Sequence, residues 1–463
     1  MKKGITLTKA SVLIGSQVQN EKLAFGACVD SRLLKNGDLF FACSGAKCDG
    51  HQFLANAALK NASAAVVSEE YSGNNFGLPL IRVKCPRIAL QVLAKKILQS
   101  YPTKIVAVTG SAGKTTTKEF LAHFLATKFR VASTPGNYNS QLGMPLTILN
   151  HIDGDEEMIV LEMGMTKAGH IASLVNIAPP DIALITGVSL AHAENFENLE
   201  AIIAAKAEIF SHPKTRLGIY DYQLKNSPSI QKTLHNLNHP NFRSFSFACE
   251  DQGADYTSKL TPQGIELMHK GATIVKLGPL TFPGKHNLHN FIAAALAANQ
   301  CGIDWELIHQ AAKTLTLPPM RLQIEEHHGI TIVNDSYNAL PVAVKAALNS
   351  LPMPKSGGKK IAVLSEMREL GSFSEHCHRE VGEYALPLVD VLICLGDGCA
   401  PIYATWTKAG RQIILVKEVA EISEHLSALV KAGDVLLVKG SRPSNLSSLV
   451  NLFIKTGSFL IKA

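Results

Sequence analysis

Residues 105–120, IVAVTGSAGKTTTKEF, constrain the fold more than any other stretch. An apolar run reaches a turn flanked by Gly110 and Gly113, meets Lys114 and three threonines, and continues as a helical pattern. A strand that passes to a helix through such a turn aims free backbone N–H groups at one point in space. Those of Gly110, Ser111, Ala112 and Gly113 suit a phosphate, and Lys114 adds a full positive charge. The hydroxyl of Thr115, followed by Thr116, suits a magnesium ion beside that phosphate. The common spacing G-x-x-x-x-G-K-[ST] requires glycine at position 108, which is Val108. The first glycine therefore comes two places late, and the turn is expected to be built differently from that of a common kinase or GTPase.

At 463 residues the chain exceeds one core, and two to four domains are expected. A hydrophobic share of 46% with 18% charged residues is ordinary for a globular protein. The net charge of +7 is spread along the chain without a basic block, so no nucleic-acid partner is expected. The nine cysteines are odd in number and form no CxxC, which suggests reduced thiols in a cytoplasmic setting. Lys9 interrupts the apolar start MKKGITLTKASVLIG, so no leader is expected. No apolar run reaches the roughly 18 residues of a membrane span.

Three regions follow along the chain: 1–101, 102–316 and 317–463. The first alternates apolar runs (DLFFAC, AAVVS, PLIRV) with helix-like segments, a small α/β unit ending at Tyr101-Pro102. The second adds the strands MIVLEM and IALITG, with helical patterns between them, and implies a parallel sheet covered on both faces. Antiparallel strands are expected from Arg243 to about Pro283, before a helix opens at GKHNLHN. The third region follows Leu317-Pro318-Pro319. It repeats apolar strands at ITIVN, IAVLS, VLICLG, IILVK and VLLVK, a second doubly wound, Rossmann-like sheet without a phosphate loop of its own.

In such sheets ligands bind at the carboxyl ends of the strands. Lys114, Glu162 and His192 all fall there. Glu162 suits a hard cation, and His192 suits a metal or a phosphate. Lys206, from composition alone, is an amphipathic lysine with a buried stem. Asn137 and Asn139 sit in a Pro-Gly loop and suit either substrate polar groups or the turn itself. Asn287 and Asn290 share one helical face and suit a base edge or a cap. Asp335 ends a strand, where it suits ribose hydroxyls, and Tyr337 suits a base. His376-Cys377-His378 lacks a second ligand pair and is not read as a zinc site.

Together TGSAGKTTTKEF, TPGNYNSQLGMP, LEMG, VSLAHAENF, AKAEIF, GKHNLHN, MRL, NDSYNA, SEMRELG and VKGSR resemble the Mur ligase family nearly end to end. The family consists of ATP-dependent amide-bond formers of peptidoglycan precursor synthesis. NDSYNA, SEMRELG and VKGSR look most like the branch that adds D-alanyl-D-alanine to UDP-N-acetylmuramoyl-tripeptide. The Asp-Asn-Pro-Arg motif of the diaminopimelate-adding branch is absent, and LSEM departs from the more usual GDM-like start of SEMRELG. The resemblance implies three domains, for UDP-substrate, ATP and the incoming amine. It implies ATP on Lys114, Thr115, His286, Asn287, Asn290, Arg321, Asp335 and Tyr337. It also implies two magnesium ions on Thr115, Glu162, His192 and a carbamylated Lys206. Asp30, Ser31 and Arg32 of VDSR would meet the UDP moiety, with Asn137, Asn139 and Asn338 among the substrate contacts, in a monomer. The catalytic set it implies is Lys114, Lys206, His192 and Arg321. Another amino-acid-adding Mur ligase, a folylpolyglutamate synthase-like ligase and a nucleotide-dependent switch are the alternatives.

Overall fold

The computed structural model describes residues 1, 3–45, 48–236, 241–250, 253–280, 282–355 and 357–459. Among the described residues, three larger sheets follow one another along the chain. The first is a four-stranded parallel sheet of Gly26–Cys28, Asp38–Phe41, Ala64–Ser68 and Leu80–Val83 in sequential order. A two-residue antiparallel pair, Ile5–Thr6 with Leu23–Ala24, precedes it.

One face of this first sheet packs on a core of its own, with Phe40, Ala65, Val67 and Leu54, and the other face shares a core with the central sheet. Leu39, Phe41, Val66 and Ile81 join a cluster that continues through Leu90, Leu93, Met144 and Ile148 into the central sheet. The seam is also hydrogen-bonded. The Asn150 carboxamide, on the helix Gly143–His151, accepts from Ala27 N–H and donates to Ala27 C=O, both at 2.8 Å. It completes the outer edge of Gly26–Cys28 as a neighbouring strand would. Asn150→Ala leaves both backbone groups without their partner and is expected to cost about 1–3 kcal/mol, read as a lower unfolding midpoint in urea.

The central sheet has nine strands, and the strand Lys104–Thr109 lies between Ile182–Ile185 and Met158–Glu162. The chain leaves Lys104–Thr109 towards the edge strand Val131–Ser133, returns through Met158–Glu162, and crosses to Ile182–Ile185 on the other side. The connections therefore change direction around Lys104–Thr109, and a crevice opens at its carboxyl end. Val106, Val108, Phe120 and Phe124 pack with the alanine-rich helix Lys285–Gln300 on one face. Ile105, Ala107 and Ile159 face the core shared with the first sheet. Alternate residues of one strand thus feed two cores, as buried parallel strands require.

The antiparallel segment begins one strand later than expected. Arg243–Cys249 is parallel to both neighbours, and reversal starts with Tyr256–Thr261 against Gly264–His269. A short loop suffices between the two parallel strands because they overlap only over Phe247–Cys249 and Tyr256–Ser258.

The third sheet runs in the order Gln323–His327, Ile330–Asp335, Val435–Lys439, Lys360–Ser365, Val391–Leu395, Gln412–Val416. It is parallel except for Gln323–His327, a hairpin partner absent from the sequence reading. Its charged, half-exposed pattern QIEEH hides the strand, as edge strands often do. Apolar clusters cover both faces, one including Trp406 and the other Phe453. No helix among the described residues is long and apolar enough to cross a membrane.

Candidate functional site

The strand Lys104–Thr109 ends at a tight turn in which two glycines are required. Gly110 has φ of 153°, and a Cβ there would stand 1.8 Å from Thr186 Oγ1. Gly113 has φ of 81°, and a Cβ there would stand 2.2 Å from Asn290 Oδ1. Alanine fits neither position. The exit of the neighbouring strand braces the turn. Ser111 N–H donates to Gly187 C=O at 2.9 Å, Ser111 Oγ donates to Ser189 C=O at 2.8 Å, and Thr186 Oγ1 donates to Ala112 C=O at 2.5 Å. The helix Lys114–Leu125 then starts with its free N–H groups facing the crevice.

Five charged side chains converge here from both sequence-distant sheets. Lys114 Nζ donates to Gly110 C=O at 2.9 Å and to Ser111 C=O at 3.2 Å, which folds its charge over the turn. Burial pushes this ammonium below the usual lysine range, against the pull of Glu162 and with the push of Arg321. Lys206, on the helix Leu199–Ala207, donates to the same Gly110 C=O at 2.9 Å. Here the composition reading needs correction: the amine of Lys206 is buried together with its stem. Burial, with the Lys114 charge adding to it, drives this amine well below the normal range. The signal was not in local pattern, because apolar residues flank Lys206 on every side of its helix.

Glu162, at the end of Met158–Glu162, is buried. It accepts from Thr115 Oγ1 at 2.8 Å and from Asn139 Nδ2 at 2.6 Å. Its own N–H donates to Thr134 Oγ1 at 2.9 Å, and the Thr134 C=O takes the fully buried Lys118 ammonium. Arg321 arrives from the start of the third region. Its Nη2 donates to Thr115 Oγ1 at 2.9 Å while its guanidinium lies 4.2 Å over the Tyr337 ring. The Tyr337 ring thus holds the arginine in the crevice by stacking.

A second ring of contacts closes around these. His192, in a left-handed backbone turn, meets Glu369 through Nδ1, and Glu194 N–H donates to Glu369 C=O at 3.2 Å. Burial lowers the His192 imidazole, Glu369 opposing and the two nearby lysines assisting. Asp335 pairs with the buried Lys439 at 2.8 Å, and Lys439 also reaches the C=O of Asn338 at 2.6 Å. Arg442 Nη1 donates to Asn137 Oδ1 at 2.9 Å across the gap between the second and third sheets. Asn287 is buried inside the helix and its Nδ2 donates to Pro283 C=O at 2.9 Å, whereas Asn290 turns to Gly113. His286 is held below its usual range by burial, with Asp335 and Lys439 as charged neighbours.

Asp30, Ser31 and Arg32 lie apart, at the exit of Gly26–Cys28 in the first sheet. Arg32 forks onto Asp30 at 2.9 and 2.7 Å. Their hydrogen bonds remain within the first sheet's own unit. His378 accepts from Met367 N–H at 2.9 Å, which makes it a core histidine. Glu369, Lys439, Arg442 and Lys118 lie inside motifs that the sequence displays; Glu369 and Arg442 find their partners only where the second and third sheets meet, and Lys118 and Lys439 within their own sheets.

The oxygen donors fit a magnesium ion. Thr115 and Glu162 offer a hydroxyl and a carboxylate, and magnesium commonly takes one or two carboxylates, with phosphate and water completing its shell. Among the described residues no group of three or more His, Cys, Asp and Glu side chains makes a self-sufficient metal cage. For a second ion the chain offers His192, and Lys206 lacks a carboxylate unless one is added to its amine.

The sequence matches the models of the Mur ligase family catalytic domain over residues 26–97, the Mur ligase middle domain over 108–298 and the Mur ligase glutamate ligase domain over 320–442. It is 32% identical to the UDP-N-acetylmuramoyl-tripeptide–D-alanyl-D-alanine ligase of Bacillus subtilis, over 93% of each chain. The crystal structure of the MurF ligase from Thermotoga maritima, in complex with ADP, superposes with a TM-score of 0.76 at 30% identity, covering 93% of this chain and 97% of that one. A MurF structure from Acinetobacter baumannii superposes at 0.85 with 25% identity, covering 98% and 99%. With its glycine turn, its converging cations and three consecutive domain matches, this chain belongs to the Mur ligase family.

Proposed function

We propose that the chain joins D-alanyl-D-alanine to UDP-N-acetylmuramoyl-tripeptide at the cost of ATP, giving the UDP-linked pentapeptide, ADP and phosphate. The observation that carries this reading is the meeting of Lys114 and Lys206 on the Gly110 carbonyl, with Glu162 and Arg321 on the adjacent Thr115, in a chain similar over its length to ligases of that name. The nine unbridged cysteines support cytoplasmic work.

The chemistry follows from charge. A carboxylate is a poor acyl donor, so the tripeptide's terminal carboxylate oxygen attacks the γ-phosphorus, ADP leaves, and an acyl phosphate forms. Bringing two anions together requires positive charge on the transferring phosphoryl group. Lys114 and the turn N–H groups would hold the phosphates, and Arg321, which meets Thr115 from the third region, would add its charge there. Thr115 and Glu162 would hold magnesium, which would neutralise charge on the transferring group. The dipeptide amine then attacks the acyl carbon and phosphate departs. Holding amine and acyl phosphate in contact contributes several kcal/mol by proximity. Asp335 and Tyr337 are assigned to ribose and base, His286, Asn287 and Asn290 to the adenine side. Asp30, Ser31 and Arg32 are assigned to the UDP moiety, and Asn137, Asn139 and Asn338 to the substrate.

The lowered Lys206 amine supports carbamylation. The neutral amine attacks carbon dioxide, an N–C bond forms, a proton leaves, and a carboxylate results on Lys206. With His192, that carboxylate would offer oxygen and nitrogen donors to a second ion.

The test is phosphate release from ATP in the presence of UDP-N-acetylmuramoyl-tripeptide. D-alanyl-D-alanine is expected to stimulate release by at least about tenfold and to appear in the product. Stimulation by glutamate with a folate, or by a single amino acid in place of the dipeptide, would instead identify another ligase of this superfamily.

A further inference from the structure

One cluster at the carboxyl ends of the central strands takes no part in the chemistry above. Asp221 ends the strand Leu217–Asp221, Cys249 ends Arg243–Cys249, and His289 lies in the first turns of the helix Lys285–Gln300. The three side chains form a chain of contacts. His289 Nε2 faces Asp221 Oδ2 at 3.2 Å, and His289 Nδ1 faces Cys249 Sγ at 3.8 Å. Asp221 is buried, and its Oδ1 is occupied by Gln223 N–H at 3.0 Å, which fixes the carboxylate. The Phe247 ring packs on the imidazole with centroids 4.6 Å apart. Cys249 and His289 keep part of their surface open to solvent.

A thiol, an imidazole and an orienting carboxylate in that order are the arrangement that makes a sulfur nucleophilic. We propose that Cys249 is an activated thiol, polarised by His289 with Asp221 behind it. It is the position at which hydroperoxides and other small soft electrophiles modify this chain. Burial alone would lower the His289 imidazole. The hydrogen bonds and charges of Asp221 and Cys249 outweigh it and carry the group up to about 9. A cation therefore stands beside the sulfur at neutral pH. The other charges at the head of this helix and the end of this strand, Lys285 and Glu250, pair with each other at 3.1 Å.

The step with hydrogen peroxide balances. The thiolate attacks one peroxide oxygen, an S–O bond forms as the O–O bond breaks, and the leaving hydroxide takes the His289 Nδ1 proton to become water. Sulfur is oxidised by two electrons to a sulfenic acid, and peroxide is reduced. The cluster is close to the phosphate turn. Asp221 Oδ2 lies 3.6 Å from where a Cβ on Gly187 would stand, and Gly187 C=O accepts from Ser111 N–H.

The test is the rate of carbamidomethylation by iodoacetamide at pH 7, resolved for each cysteine by peptide mass spectrometry, with glutathione as the reference thiol. Cys249 is expected to react at least about tenfold faster than glutathione, and dimedone is expected to trap a sulfenic acid at Cys249 after peroxide treatment. His289→Gln is expected to remove that excess. Two outcomes overturn the proposal: a wild-type Cys249 that reacts no faster than glutathione, or a His289→Gln protein with an unchanged melting curve that keeps the wild-type rate. The first needs no variant and stands whether or not His289→Gln folds. Neither outcome depends on ligase activity.

Discussion

Lys114→Ala is expected to lower turnover by about 10³-fold or more, measured as phosphate release with saturating substrates. The side chain emerges from the first position of the helix Lys114–Leu125 and folds over Gly110 and Ser111. Its ammonium shares the Gly110 carbonyl with Lys206 and also reaches the Ser111 carbonyl. Removing it leaves the transferring group with one cation fewer in a poorly hydrated crevice, where each charge counts for more than in water. Folding should suffer little. The folded state holds this ammonium against burial, as its lowered pKa shows, so alanine relieves a desolvation penalty while losing two hydrogen bonds to carbonyls. A melting temperature within a few degrees of wild type is therefore expected alongside the loss of turnover. Retained turnover would contradict the assignment of Lys114 to the phosphates.

Lys206→Ala is expected to lower turnover by about 10²-fold or more, a loss that added bicarbonate does not restore. A short carboxylic acid such as acetate is expected to restore part of it, because it can return a carboxylate to the space the side chain leaves. In wild type, depletion of dissolved carbon dioxide should lower the rate and bicarbonate should recover it. The pH dependence has a definite sign. The amine is depressed by burial and by Lys114, so it is neutral, and able to take up carbon dioxide, above its lowered pKa. As pH falls through that value the amine protonates, the carbamate is lost, and the rate declines on the acid side. A fully active Lys206→Ala protein would remove the carbamate from the mechanism, while the phosphate roles of Lys114 and Arg321 would stand.

Legibility differed sharply among these residues. Gly110, Gly113, Lys114 and Thr115 lie close together in sequence, and the backbone geometry that gives them meaning is local, so spacing alone identified the turn. Glu162 and His192 were singled out because one ends an apolar strand and the other follows one, and parallel sheets bring strand ends to one side. Asp335 was placed by the same rule. Lys206 was invisible to pattern: it lies on a helix whose neighbours are apolar in every direction, and only the family resemblance singled it out. Arg321 follows a proline pair with no periodic signal, and its place over Tyr337 depends on how the third sheet meets the second. The edge strand Gln323–His327 and the parallel pairing of Arg243–Cys249 were likewise missed, since pairing partners are chosen by long-range packing.

The sequence by itself determined the α/β class, the succession of three sheets, the phosphate turn and the strand-end acids, because each depends on interactions between residues close along the chain. Only the tertiary structure decided that Arg321 reaches Thr115, that Glu369 meets His192, that Arg442 spans to Asn137 and that Asp221, His289 and Cys249 align. Those contacts join elements tens to hundreds of residues apart. What fixes them is the burial of the apolar faces of whole sheets, a collective term that no single side chain carries in its local sequence.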